Sequence, residues 1–474
     1  MAVWSKWTAS SGKGLYSPST CPCGNRPIPI QAMSHTRSDK NSRPIIRKIR
    51  VVTYFLVLVC LSDYYLIQPS LITIDQLPPP GDDLKPLIHS LKEHVSYLAS
   101  PELKGRAPGT PGNIAAQQYL IDQFKSIGLI PPKPGVGMTQ TIKPEIGENI
   151  FAALSPSIPG REWLLLGAHF DHLGLQDGNL ILGADDNASA VAILIATARL
   201  LQRQEGLKRF NILFVGFNAE EPPFFLSRWM GSHHFYNHLE DTGIAAGTIR
   251  LAVIMDLMGG IFWKPLKDTV FVMGQEKTPQ LEPLIPSVTV PDLDIQPLGM
   301  DMIETIPGKT RRMFSDYQVF RANKVPFIFM STGRTPHYHR PSDTMEKIHY
   351  ARMARTVLWL NKLFLKLDRF KGEWEYNDKR QNLKQDLKTL YPLIEKASQW
   401  STKVPQTGIV SLFKLKKDFN NFKYIQERIS QNREFIEKGF RSLTLASIRL
   451  QCLLGKMGPC FLLPGGIEES ELSN

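Results

Sequence analysis

Four stretches of the chain are continuously apolar, with no polar alternation: 162–167 (EWLLLG), 211–217 (NILFVGF), 251–255 (LAVIM) and 325–330 (VPFIFM). A strand with one wet face alternates, so unbroken runs of this length predict strands covered on both faces, as in parallel sheets. Between the first two lies 188–202 (ASAVAILIATARLLQ), long and rich in Ala and Leu, which predicts a crossover helix. Strands that alternate with helices predict an α/β sheet whose functional groups gather beyond the carboxyl ends of the strands. Helical periodicity also marks 84–98 and the region running towards Leu367, where Asp343 and Glu346 have the spacing of a capping box. Beyond Glu373, the stretches 378–398 and 414–440 predict a helical C-terminal extension rich in Lys, Gln and Asn.

Polar and Pro-rich segments divide the chain. Residues 75–83 (DQLPPPGDD) predict a linker. The expected organisation is a basic arm over 1–50, an apolar targeting segment over 51–67, a linker over 68–83, a catalytic domain over 84–370 and the extension over 371–474. Arg37, Lys40, Arg43, Arg47, Lys48 and Arg50 precede the apolar run 51–61 (VVTYFLVLVCL), and no small-x-small cleavage site follows it. This pattern predicts a signal anchor with the basic end in the cytoplasm and the catalytic domain on the other side of the membrane; the alternative is a cleaved signal peptide and an exported protein. Met33 is an alternative start.

The 474 residues, 42% of them hydrophobic, suffice for one large core with appendages. The net charge of +12 lies partly in the arm and the tail, where it suits an anionic membrane surface better than nucleic acid. All five cysteines (21, 23, 60, 452 and 460) fall outside the expected catalytic domain, so they give that domain no disulfide. Cys21 and Cys23 have no second pair to complete a metal clip.

The chemistry lies at the ends of the predicted strands. His169, Asp186, Glu221, Asp256 and His339 are metal-ligand types, each in a segment at or just after a strand. Two divalent ions need a bridging carboxylate and about one carboxylate and one imidazole each, which two His and three acids supply. Oxygen donors with two imidazoles and no thiolate favour zinc. Glu220 is left over as a general base, provided the Glu pair sits in an irregular turn, because adjacent strand residues point to opposite faces. Asp171, two residues after His169, is spaced to orient that imidazole. His172, His233, His234 and His337 read as non-ligands.

These segments resemble the di-zinc aminopeptidase family that includes bacterial leucyl aminopeptidases and glutamate carboxypeptidase. The resemblance spans roughly Leu84 to Leu367. It rests on 168–174 (AHFDHLG), 183–189 (GADDNAS), 218–221 (NAEE), 255–259 (MDLMG) and 338–344 (YHRPSDT), with 98–113 (LASPELKGRAPGTPGN) resembling the entry segment. It implies a three-layer αβα zinc-exopeptidase fold with a mixed, mostly parallel central sheet, and two zinc ions per chain. His169 and Asp256 would hold one ion, Glu221 and His339 the other, and Asp186 would bridge them, followed by a cis peptide bond to Asn187. Glu220 would be the general base, and Asp185, beside the bridging Asp186, would be structural.

The chain departs from the family in two places. After the Glu pair stands 222–232 (PPFFLSRWMGS), longer and more aromatic than the usual Gly-Leu-x-Gly-Ser turn, and the family does not require the C-terminal extension. Phe224 and Phe225 are therefore candidate walls of a substrate pocket, and Tyr338 a candidate contact to the substrate. The expected activity is removal of N-terminal residues from peptides. The alternatives are a glutamate carboxypeptidase-like dipeptidase, with Arg311, Arg312 and Arg334 available to grip a substrate carboxylate, and a glutaminyl cyclase-like acyl transferase, which uses one zinc.

Overall fold

The structure, a computed structural model, describes residues 84–154, 162–203, 207–245, 247–304 and 313–401. The apolar segment 51–67, the arm, the linker, the stretch 414–440 and all five cysteines lie outside the described residues. Among the described residues no helix is long and apolar enough to cross a membrane.

The chain begins with helix α1 (Lys85–Leu98), a 3-10 turn (Pro101–Arg106) and helix α2 (Pro111–Ile127). Strands β1 (Thr139–Lys143), β2 (Gly147–Leu154) and β3 (Trp163–His169) follow, with a small hairpin of β4 (Gly174–Gln176) and β5 (Asn179–Ile181). Next come the crossover helix α3 (Ala190–Gln202), β6 (Asn211–Phe217), α4 (Gly231–Asn237), β7 (Ile249–Met255) and β8 (Thr269–Met273). The described chain closes with α5 (Leu281–Leu284), β9 (Asp294–Leu298), α6 (Met300–Glu304), α7 (Tyr317–Ala322), β10 (Phe327–Ser331), α8 (Tyr350–Asp368) and α9 (Leu383–Ser401).

Eight strands form one mixed sheet in the order β1-β2-β6-β3-β7-β10-β8-β9. Its centre is parallel: β3 pairs with both β6 and β7, and β7 with β10. The four predicted strands are these four, at nearly the predicted bounds. Their unbroken hydrophobicity follows from two separate cores. Leu164, Leu166, Ile212, Phe214, Leu251 and Val253 enter one, with residues of α1, α2, α3 and α8. Leu165, Leu213, Val215, Phe217, Ala252 and Ile254 enter the other, with Phe235 of α4, Val319 and Phe320 of α7 and the Leu residues of α9. Period-2 geometry sends neighbours to opposite faces, and both faces are dry.

The helix expected over 378–398 forms as α9, and its apolar side is core: Leu383, Leu387, Leu390 and Leu393 pack with Met300, Tyr317 and Phe327. Ahead of it, the fully buried Lys277 pairs with Asp301 at 2.6 Å and donates to the Arg380 carbonyl at 2.8 Å. Arg321 bonds Glu304, Asp301 (2.8 Å) and Asp378 (2.7 Å). Asp386 is buried, accepts from the Gly299 amide at 2.6 Å, and has its carboxyl pushed up to about 8 by burial and by the nearby Glu276 and Asp301.

That shift sets a pH dependence. The unfolded chain gives up the Asp386 proton near the ordinary value of about 3.9. Between about pH 4 and pH 8 the folded chain therefore binds the extra proton and loses stability as pH rises. Asp386→Asn keeps the acceptor oxygen for Gly299 without the charge. Its urea midpoint should exceed that of wild type by clearly more at pH 8.5 than at pH 5; an equal difference at both pH values would contradict the assignment.

Candidate metal centre and active site

The site is built on the carboxyl ends of the central strands. His169 is the last residue of β3, Asp256 follows β7 directly, and the Glu pair lies just beyond β6. The Asp186 segment is a tight π-type turn over Ala184–Ser189, opened by Gly183 at φ 66°. A Cβ at Gly183 would lie 2.2 Å from the Asp186 carbonyl oxygen, so glycine is required there. The peptide bond between Asp186 and Asn187 is cis, as the resemblance implies.

Neighbouring acids hold these turns by accepting backbone amides. Asp185 points away from Asp186 and accepts from the Gly259 and Gly260 amides, each at 2.8 Å, so it is structural. Asp343 departs from the sequence expectation: it caps no helix. It is buried and accepts from the amides of Asp185 (2.8 Å) and Asp186 (3.2 Å). Helix α8 begins only at Tyr350, where His349 Nδ1 accepts from the Arg352 amide. Local spacing cannot reveal a carboxylate whose partners lie more than 150 residues away.

The irregular turn required by the Glu pair is present. Ala219 adopts φ 54°, a left-handed conformation unusual for a residue with a side chain. Asp171 clamps the turn, its two oxygens accepting from the amides of Glu220 and Glu221 at 3.1 Å each. The expected partnership with His169 is looser: the imidazole Nδ1 is 3.2 Å from the Asp171 carbonyl oxygen and 3.6 Å from its carboxylate. His172 Nδ1 lies 2.8 Å from Glu221 Oε1, so this histidine fixes a candidate ligand.

The five candidate ligands come together. His169 Nε2 is 3.4 Å from Asp186 Oδ1 and 3.6 Å from Asp256 Oδ1. His339 Nε2 is 3.2 Å from Asp186 Oδ2 and 3.3 Å from Glu221 Oε2. Two atoms each about 2.0–2.1 Å from a tetrahedral zinc stand about 3.3–3.4 Å apart, the spacing found in both groups. His169 Nε2, Asp256 Oδ1 and His339 Nε2 are buried with no hydrogen-bond partner, a costly state that a cation relieves. The residues therefore fit zinc, and the two oxygens of Asp186 face two different imidazoles.

Electrostatics agree with this sorting. Burial works against charge on Asp186, but His172, His169 and His339 hold its carboxyl well below the ordinary range. For Glu220, burial and the adjacent Glu221, Asp256 and Asp316 push the carboxyl well up, while His169 opposes. Divalent cations in the nest work against that rise. Glu220 Oε2 stands 3.9 Å from His169 Nε2, beside the ligand group.

The aromatic candidates divide. Tyr338 stacks its ring on that of His339 at 3.7 Å between centroids, and the Arg334 guanidinium lies over the Tyr338 ring at 4.1 Å from its centroid. Burial and the acids Asp186, Glu221 and Glu220 keep its hydroxyl protonated. Phe224 and Trp229, both partly buried, pack on Ile142, Ile146 and Ala219. Phe225 is half-buried outside that cluster. Arg311 and Arg312 lie outside the described residues.

Two residues escaped the sequence reading. Asp316 is fully buried, and burial with Asp171 and Asp256 pushes it up to about 7 against the opposing pull of His169 and Ser232. No metal-type spacing points to it. Arg106 is fully buried and donates to the carbonyls of Leu98, Phe170 (2.7 Å), Leu182 (2.8 Å) and Gly183 (3.0 Å), which ties the His169 and Asp186 segments together. It lies in the 98–113 segment, the one signal that could have found it.

The model of Peptidase family M28 matches residues 149–361, a span that holds all five candidate ligands, Glu220 and Asp171. These residues form a Peptidase family M28 domain. At the level of that family, residues 149–361 are a peptidase domain, hence a hydrolase. The chain is 27% identical over 292 residues to the uncharacterized protein YfbL of Escherichia coli K12, covering 56% of this chain and 84% of that one. Among solved structures it is similar to the Legionella pneumophila LapA aminopeptidase (TM-score 0.45, 16% identity, 65% of this chain and 79% of that one). It is also similar to Porphyromonas gingivalis glutaminyl cyclase (TM-score 0.46, 20% identity, 59% of this chain and 98% of that one).

The clamp on the Glu pair of this M28 domain is testable. Asp171→Asn replaces one acceptor oxygen with a donor that faces an amide. Zinc affinity by chelator competition, or turnover, should fall about 10–100-fold, the usual cost of losing a partner behind a metal ligand. Unchanged affinity and turnover would show that the clamp is dispensable.

Proposed function

We propose that the chain is a two-zinc aminopeptidase that removes N-terminal residues from peptides. The observation that carries the reading is Asp186, whose Oδ1 faces His169 and whose Oδ2 faces His339. Each imidazole has a second carboxylate beside it, Asp256 for His169 and Glu221 for His339. On this reading His169 and Asp256 would hold one ion and Glu221 and His339 the second, with Asp186 contributing to both. When bound, zinc polarises a carbonyl and makes water acidic enough to attack near neutral pH.

The chain's own residues supply the rest. Glu220 lies close to His169 and Asp256, within reach of an ion held there, and is held in place through its amide by Asp171. It takes the proton of the attacking water and delivers it to the leaving amine. His172 holds Glu221 Oε1, which leaves Oε2 turned towards His339. Tyr338 keeps its proton and packs the outer side of His339, the one candidate ligand whose side chain is appreciably exposed, at 25%. The paired nests favour this reading over a one-zinc cyclase.

The test is turnover on peptides with free and with blocked N-termini, in wild type and Glu220→Gln. Wild type should cleave only free termini, and the variant should keep its zinc and KM while kcat drops by about 10²–10⁴. Equal cleavage of blocked peptides would refute the aminopeptidase reading. A preference for peptides ending in an acidic residue would move it to the acidic dipeptidase class, and normal turnover in the variant would remove Glu220 from the reaction.

A further inference from the structure

Asn218 is fully buried, two residues before Glu220, and every polar group it carries is bonded. Its backbone amide donates to Asn149 Oδ1 at 3.0 Å, and its carbonyl accepts from the Gly231 amide at 2.8 Å. Its side-chain oxygen accepts from Asn113 Nδ2 at 2.9 Å and from the next amide along, that of Ala219, also at 2.9 Å. Its side-chain nitrogen donates to Asn113 Oδ1 at 3.1 Å and to the Ile146 carbonyl at 3.2 Å. A surface turn residue has no need of such a set.

The bond to the Ala219 amide falls where the backbone is least content. Ala219 sits at φ 54°, and a residue with a Cβ holds that conformation only when its surroundings enforce it. The chain reverses direction there, and the following two amides are those gripped by Asp171. Asn218 thus fixes the turn from the N-terminal side and Asp171 from the C-terminal side. The clamp is anchored in a helix, since Asn113 lies in α2 and also donates to the carbonyl of Arg106 at 3.0 Å.

We propose that Asn218, held by Asn113, is a positioning residue that sets the reach of Glu220 into the site. The inference rests on Glu220 being the general base. A chain segment that wanders at Ala219 swings Glu220 out of reach of the attacking water while the substrate pocket stays intact, so the loss appears in kcat and spares KM.

The experiment compares zinc-saturated Asn218→Ala, Asn113→Ala, the double variant, Glu220→Gln and Leu201→Ala by steady-state kinetics and thermal melting. Leu201 is buried near the far end of α3 and serves as a control for loss of stability alone. Asn218→Ala should lower kcat at least about tenfold with KM within about threefold, and Asn113→Ala should lower it about threefold. The double variant should be no worse than Asn218→Ala, because the two side chains bond each other. Leu201→Ala should lower the melting temperature and leave kcat unchanged.

Turnover within about twofold of wild type in both Asn variants, with Glu220→Gln inactive, overturns the positioning role and leaves the base assignment standing. An equal kcat loss in Leu201→Ala at equal loss of melting temperature also overturns it. Full turnover in Glu220→Gln refutes the base assignment and the inference with it. If Asn218→Ala does not fold, Asn113→Ala against Leu201→Ala decides.

Discussion

The structure depends on how a crowd of buried carboxylates is kept apart and compensated. Asp171, Asp185, Asp186, Glu220, Glu221, Asp256, Asp316 and Asp343 are all buried around the ends of the central strands. Like charges at such range, removed from water, strongly oppose one another. The chain resolves the conflict by sorting them. Asp171, Asp185 and Asp343 spend their oxygens on backbone amides, while Asp186, Glu221 and Asp256 turn oxygens towards histidine nitrogens. The first group shapes the turns, and the second leaves sites for cations. Arg106 adds a buried positive charge behind both; burial lowers its pKa, and Asp171, Asp343, Asp186 and Glu221 work to keep the charge in place.

The scaffold explains why such a site can be held rigidly. Central strands dry on both faces cannot shift register without exposing apolar side chains to the wrong neighbours, so the ends that carry His169, Phe217 and Met255 are fixed relative to one another. Irregular backbone recurs in the turns that follow: Gly183, Ala219, Leu257 and His339 all have positive φ. Each is adjacent to or part of a segment bearing a candidate ligand. Strain gathers where the chemistry needs side chains aimed out of the regular pleat.

The four central strands and the crossover helix were legible because two-sided burial writes itself as unbroken hydrophobicity. The ligands were legible because their residue types recur at those strand ends, and the resemblance told Asp186 from Asp185. What stayed hidden involves partners distant in sequence. Asp171 grips amides 49 and 50 residues away, and Asn218 bonds Asn113 across 105 residues. Asp343 has a spacing that suits a helix cap, yet its partners lie 157 and 158 residues away. The flanking strands β1, β2, β8 and β9 carry no candidate ligand. The aromatic stretch after the Glu pair read as a candidate pocket wall, whereas Phe224 and Trp229 pack on Ile142 and Ile146, a contact no local pattern reveals.

The central claim is that one carboxylate, Asp186, is shared by two ions. Anomalous diffraction from crystals of the zinc-loaded protein, collected on both sides of the zinc edge, tests it without reference to activity. The account predicts two peaks about 3.5–4 Å apart, one between His169 and Asp256 and one between Glu221 and His339, with Asp186 between them. A single peak, or a second peak liganded by His172 in place of His339, would contradict it.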